Sequence, residues 1–197
     1  MKKVVSILLV AILALSLAAC GASNGGDHDV NQPNHGAASV NSALELLTTV
    51  WNSYGEDDKF PAAGGDMSEE NMSMEGPGKY ALDDASMLDN TLGFPAASVS
   101  KIDDAASLVH MMNANTFTCG AFHVANAADV DAVAAEIKEN IMNRQWICGF
   151  PEKLVIVNVD GYIVSFFGTN DLVDAFKNAL TTTYTSAQTI CDEPIAL

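Results

Sequence analysis

The clearest pattern in the chain is the run KLVIVNVDGYIVSFFG, residues 153–168, in which two β-branched, apolar stretches flank Asp160-Gly161. An Asp-Gly pair accepts the positive φ angles of a type I′ turn, so the run predicts a hairpin that pairs Val159 with Tyr162. That pairing lines Val155, Val157, Val159, Tyr162, Val164 and Phe166 along one face, which is core. The opposite face, with Leu154, Ile156, Asn158, Ile163, Ser165 and Phe167, is too apolar for bare solvent. Further elements or a partner have to cover part of it.

Helical spacing recurs on either side of this hairpin. In NSALELLTTVWNSY, Leu44, Leu47, Val50, Trp51 and Tyr54 form one stripe, and Asn41 or Ser42 can cap the start. LDDASMLDNTLG predicts a short helix capped by Asp83 and stopped by Gly93. In NAADVDAVAAEIKENIMNR, with Asn126 as cap, Val130, Val133, Ala134, Ile137 and Ile141 share a face, and in TNDLVDAFKNALTTTY so do Leu172, Val173, Phe176, Ala179 and Leu180. SLVHMM and TFTCGAFHV are strand-like and separated by Asn-Ala-Asn, which predicts a second hairpin. The expected fold is therefore α+β, an antiparallel sheet in ββαββα order packed by helices and preceded by N-terminal helices.

The segments outside this pattern divide the rest of the chain. Residues 55–79 carry five glycines, two prolines and many acids, which predicts a long mobile loop with at most a helical turn begun by Asp66 and Glu69 as a capping box. Residues 21–40, rich in Gly, Asn, Ser and Ala, read as a tether. Ahead of it, MKK and the uncharged run VVSILLVAILALSLAA have the layout of a secretory signal peptide. The organisation expected is residues 1–19 as signal peptide, 20–40 as N-terminus and tether, 41–79 as helix and acidic Met-rich loop, and 80–197 as the α+β domain.

Charge changes the picture of partners. The formal net charge is −16, from 25 acidic against 9 basic residues, which argues against nucleic acid and against anionic membrane surfaces, since little is present to neutralise phosphates. Loss of residues 1–19 would remove Lys2 and Lys3 and deepen that charge.

Leu17, Ala18, Ala19 and Cys20 closely resemble the lipobox of bacterial lipoproteins, whose cysteine carries a diacylglyceryl group and becomes the mature N-terminus. Two acyl chains at about 0.8 kcal/mol per buried methylene would hold an acidic domain at a membrane that repels it. Cys20 is thus expected to anchor the protein on the extracytoplasmic face of the cell membrane. From TFTCGAFHV through the helix, the GFPEK step and the Asp-Gly hairpin, roughly residues 80–182, the chain also resembles the family called domain of unknown function 4358, lipoproteins of Firmicutes. The resemblance implies location and fold, and brings no activity with it.

Catalytic signatures are few. The chain has no G-x-S-x-G, H-E-x-x-H, phosphate-binding glycine loop or C-x-x-C. Cys119 and His123 share a strand face but stand ~13 Å apart, beyond a nucleophile–base hydrogen bond. A hairpin pairing Met112 with Phe117 would set His110 opposite Cys119, which allows a Cys-His dyad or a soft His, Cys and Met metal site. The plainer reading makes Cys119 a small core hydrophobe. Met67, Met72 and Met74 could take Cu(I), and His28 and His35 beside Asp27 and Asp29 a metal, but irregular spacing favours packing residues and solvated spacers. The pairs Asp57-Asp58, Asp83-Asp84 and Asp103-Asp104 lack EF-hand spacing and read as caps and turns.

The reading that results is a lipid-anchored binding or accessory module of the bacterial cell envelope, not an enzyme. It calls for no cofactor and no metal, and for an unidentified envelope protein or ligand as partner. The alternative is Cys-His or soft-metal activity around His110 and Cys119. Export would also permit disulfides. A final helix of about 21 Å followed by the tail to Cys191 lets Cys191 just reach Cys148, and such a bridge would pin an otherwise frayed tail.

Overall fold

The computed structural model of the protein describes residues 39–66, 68–147 and 149–196. Four helices, α1 (Ala43–Asn52), α2 (Ala85–Leu92), α3 (Val130–Met142) and α4 (Asn170–Thr183), pack on a seven-stranded antiparallel sheet. Its strands are β1 (Ala62–Ala63), β2 (Gly78–Lys79), β3 (Ile102–His110), β4 (Phe117–Val124), β5 (Lys153–Val159), β6 (Tyr162–Gly168) and β7 (Gln188–Pro194). The order across the sheet is β1-β3-β4-β6-β5-β7, with β2 also paired to β3. The α+β class and the ββαββα succession appear as β3 to α4, and β1, β2 and β7 extend the sheet on both edges.

The β5–β6 hairpin has the expected register, Val159 opposite Tyr162. Asp160 and Gly161 both take positive φ, 51° and 92°, and Asn158 Oδ1 accepts from the Gly161 N–H at 3.0 Å. Both faces of this hairpin are buried. Val155, Val157, Val159, Tyr162, Val164 and Phe166 meet α1 and α4 in one core. Leu154, Ile156, Ile163 and Phe167 meet α2 and α3 in a second core, so helices of the same chain cover the second face. The stripe on α3 buries Val130, Val133, Ala134, Ile137 and Ile141, as the spacing predicts. Among the described residues, every residue of the two cores lies between Ala43 and Ile195.

The first half of the chain departs from the sequence reading. α1 packs in the same core as the sheet, and residues 55–79, expected as a mobile loop, supply β1 and β2 and a bridge between Gly64 and Ser73. Asp66 does not begin a capping box with Glu69. Its carboxylate instead accepts from the N–H groups of Ser68 (2.8 Å) and Ala81 (2.9 Å) and from Asn71 Nδ2 (2.7 Å), which ties the loop into a closed turn. The cap of α2 is Asp84 rather than Asp83, its Oδ1 accepting from Ser86 and Met87 N–H at 3.0 Å, and Gly93 at φ 73° ends the helix as expected. β3 starts at Ile102, through Asp103 and Asp104, with a register shift between Ile102 and Asp104. Asp104 Oδ2 accepts from the Ala43 N–H at 2.7 Å, so β3 secures the start of α1 together with the Ser42 cap.

The tail needs no covalent pin. Residues 188–194 form β7 on the outer edge of β5, with Cys191 opposite Ile156. Cys191 is a free, buried thiol within the α3-side core, and Cys148, its expected partner, lies outside the described residues. The reach argument assumed an extended return from the end of α4, whereas the tail turns back at once and its ladder fixes it. As an edge strand β7 is protected by charge: Asp192 pairs with Lys153 (2.9 Å) and Lys177 (2.6 Å), Glu193 with Lys138 (2.5 Å), and the strand ends in Pro194.

Candidate functional site

The β3–β4 ladder places Cys119 opposite Leu108 and Thr118 opposite Val109. The expected pairing of Met112 with Phe117 is therefore two residues out, and His110 does not face Cys119. Met111 and Met112 have left the strand for the turn, where the Met111 N–H donates to the Pro61 carbonyl at 2.8 Å. Cys119 is fully buried, and burial pushes its thiol well above the usual range, the opposite of what a nucleophile or soft-metal ligand needs. His110 stacks on Phe60, ring centroids 5.6 Å apart. Its Nδ1 and the Tyr54 hydroxyl are buried without hydrogen-bond partners, and burial raises the Tyr54 hydroxyl too. These groups form part of the aromatic lining around Phe60 and Phe117, not an open dyad.

The other candidates are also taken up by structure. Asp57 and Asp58 sit exposed in a 3-10 turn, Asp84 caps α2, Asp103 Oδ1 lies 2.5 Å from His123 Nδ1, and Asp104 holds α1. Met72 and Met74 are exposed, and Met67 lies outside the described residues. Among the described residues no group of three or more His, Cys, Asp or Glu side chains is arranged to hold a metal ion. Leu17, Ala18, Ala19, Cys20, His28 and His35, with the signal peptide and most of the tether, lie outside the described residues. No helix among the described residues is long and apolar enough to cross a membrane.

A site that the sequence did not announce lies on the α2–α3 side of the sheet. A cleft of about 340 Å³ opens there, with Ser107 and Val109 of β3, Thr118 of β4 and Phe167 of β6 in its lining. Val109, Thr118 and Phe167 stand side by side across three strands and make a floor of mostly short side chains. The last turn of α2 reaches this corner with Asn90, Thr91 and Leu92, whereas α3 stops at Met142. The segment after α3 closes it instead. Trp146 packs on Phe167 with ring centroids 5.1 Å apart, and the Arg144 guanidinium lies over the indole at 5.6 Å. Arg144 in turn donates to the carbonyls of Asn90 (3.2 Å) and Asp89 and pairs with the Asp89 carboxylate at 3.3 Å, which fastens this wall to α2. Asn115 Nδ2 donates to the carbonyls of Ile147 (3.0 Å) and Gly149 (3.1 Å), holding the β3–β4 turn against the same segment.

Two groups in this lining have unspent capacity. The Trp146 indole N–H is buried and has no acceptor, whereas the N–H of Trp51 donates to the Glu75 carbonyl at 3.1 Å. With Phe167 and Arg144 against its ring, the indole N–H is the polar group of Trp146 left without a partner. Asp66, also in the lining, is bonded only by neutral donors, and no cation pairs with it among the described residues. Burial alone would raise the Asp66 carboxyl, but hydrogen bonds from Ser68, Asn71 and Ala81 outweigh it and hold the group at about 2, so it is ionised at any ordinary pH. Apolar walls, a free donor and a fixed negative charge can seat an apolar group that carries an acceptor and a neighbouring cation. Comparison with protein-family models, with curated proteins and with solved structures gives no match, so neither the resemblance drawn from the sequence nor the use of this cleft gains support from a relative.

Proposed function

We propose that the protein is a binding module of the bacterial cell envelope, anchored through lipid on Cys20 at the extracytoplasmic face of the membrane, and that the cleft beneath Trp146 is its ligand site. The observation that carries the reading is the buried indole N–H without an acceptor in the wall of a largely apolar cleft. A buried donor left empty costs roughly 1–3 kcal/mol, and a ligand carbonyl or similar acceptor recovers it. The cleft volume is at the lower end of ordinary ligand sites, which suits a side-chain-sized group rather than a large cofactor. Cys119 offers no competing chemistry, since it is sealed in the opposite core.

The cleft is tested with anilinonaphthalenesulfonate, which combines an aromatic body with acceptor oxygens, added to the segment 39–197 that holds both cores. One molecule is expected to bind per chain. Trp146→Phe, which removes only the N–H donor and trims the ring, should weaken binding about tenfold, the equivalent of one hydrogen bond. Val109→Phe, which fills the floor, should abolish it. Unchanged dye affinity in both variants rejects the site. The anchor is tested separately in cells: Cys20→Ala is expected to abolish incorporation of a labelled fatty acid and to leave the precursor unprocessed by the lipoprotein route, and continued acylation of that variant shows that another residue carries the lipid.

A further inference from the structure

The mouth of the cleft is unlike the rest of the surface. Met112, Ile147 and Phe150 are 77%, 78% and 58% exposed, and Met111 is exposed beside them in sequence. They sit on the two loops that Asn115, itself in the cleft lining, ties together. In a chain of net charge −16, residues 105–128 contain no Asp, Glu, Lys or Arg, and neither do residues 145–151. These two loops are thus themselves uncharged, apolar at their tips and tied to each other by the Asn115 side chain, with Arg144 and Asp66 in the lining of the cleft they border. An exposed apolar cluster of this kind beside a cavity marks an interaction surface.

We propose that this end docks a peptide segment of a partner protein, an apolar residue of which enters the cleft while a nearby Lys or Arg of the same segment pairs with Asp66. The proposal rests on the reading of the cleft as the ligand site. Two observations select a basic, apolar peptide over other occupants. A second copy would bring two chains of −16 together, and an anionic bilayer meets the same repulsion, while a basic peptide is drawn in by that field. Besides the Arg144 guanidinium, which is paired with Asp89, the cleft lining holds one indole N–H without an acceptor and one carboxylate without a cation, which a backbone carbonyl and a neighbouring basic side chain match together.

The test pans random heptapeptides displayed on phage against the same segment, 39–197. Enriched peptides are expected to pair an aromatic or aliphatic residue with Lys or Arg within three positions, and the synthetic peptide should displace anilinonaphthalenesulfonate. Its affinity should fall at least tenfold with Phe150→Asp or with Asp66→Asn. Replacing its basic residue by norleucine should make wild type and Asp66→Asn bind alike, which separates loss of the charge from any shift of the loop. Dye binding without peptide enrichment, or enrichment of peptides with no basic residue, overturns the peptide proposal and leaves the cleft standing; absence of dye binding overturns the cleft reading with it. Dimerisation in light scattering, or flotation with phosphatidylcholine vesicles, that is lost in Phe150→Asp would give this end to a second copy or to a bilayer, and either result overturns the proposal.

Discussion

Phe117→Ala is expected to lower the unfolding free energy by about 4 kcal/mol, the middle of the range for removing a buried aromatic ring. Phe117 is fully buried on β4, between the helices α1 and α4 and the middle of the sheet. Its ring centroid lies 5.1 Å from Phe60, 5.3 Å from Phe176 and 6.4 Å from Phe166, so one ring joins the loop before β1, the last helix and the central hairpin. These neighbours belong to separate elements tied by their own hydrogen bonds, which prevents the site from collapsing and leaves the cavity largely open. Urea denaturation is the direct measurement, and Phe117→Leu, which retains most of the volume, should cost about 1 kcal/mol. A loss below about 1 kcal/mol in Phe117→Ala would mean that the four rings do not pack as a unit. Because the cleft lies on the other side of the sheet, dye affinity of the folded variant should be unchanged, so stability and binding separate cleanly.

What was legible in the sequence is what burial writes as a period. The Asp160-Gly161 turn, its register, the α3 face from Val130 to Ile141 and the α4 face through Phe176 all appear where the spacing puts them. The apolar second face of β5 and β6 correctly required cover, which α2 and α3 provide. Strands whose burial is one-sided or partial left no such record. β7 buries only Cys191 at its centre and carries a register shift between Ile156 and Val157, so Gln188–Pro194 has no alternation to read. β1 and β2 are two-residue strands in a Gly-rich stretch, where hydrogen bonding and close backbone approach, not hydrophobicity, decide the structure. The register of β3 and β4 was open because the turn between them has no residue pair that dictates its length, and an error of two residues keeps the same faces while moving His110 away from Cys119. The cleft was hidden for a further reason: Trp146, Arg144 and Asp66 are in irregular segments, and only tertiary placement brings them to the Val109–Thr118–Phe167 floor. The one signal present was an aromatic residue in the unperiodic stretch RQWICGFP after α3.

The second large effect is expected at Gly64, and it bears on the cleft rather than on the core. A Cβ at this position would lie 2.3 Å from Gly78 N, 2.4 Å from the Ser107 carbonyl oxygen and 2.6 Å from that of Gly76. All three are backbone atoms, of β2, of β3 and of the segment that leads into β2, so no side chain can swing away to make room. Gly64 also exchanges two backbone hydrogen bonds with Ser73, each 2.9 Å, and the N–H of its neighbour Gly65 donates to the Ser107 hydroxyl at 2.8 Å. Gly64→Ala must therefore push β1 and β2 off the edge of β3, at a cost of about 3 kcal/mol. The residues released are those that carry Asp66 and its three donors, and Gly65 and Asp66 line the cleft. Hydrogen exchange should accelerate at Gly64, Ser73 and Ala81 while the amides of β5 and β6 stay protected. Anilinonaphthalenesulfonate should bind at least tenfold more weakly, and a basic peptide should lose the Asp66 contribution altogether, at temperatures where far-ultraviolet circular dichroism still reports the folded sheet. Retention of slow exchange at Ser73 together with full dye affinity would show that the edge accommodates a methyl group, and that the wall carrying Asp66 does not depend on the close approach of Gly64 to β3.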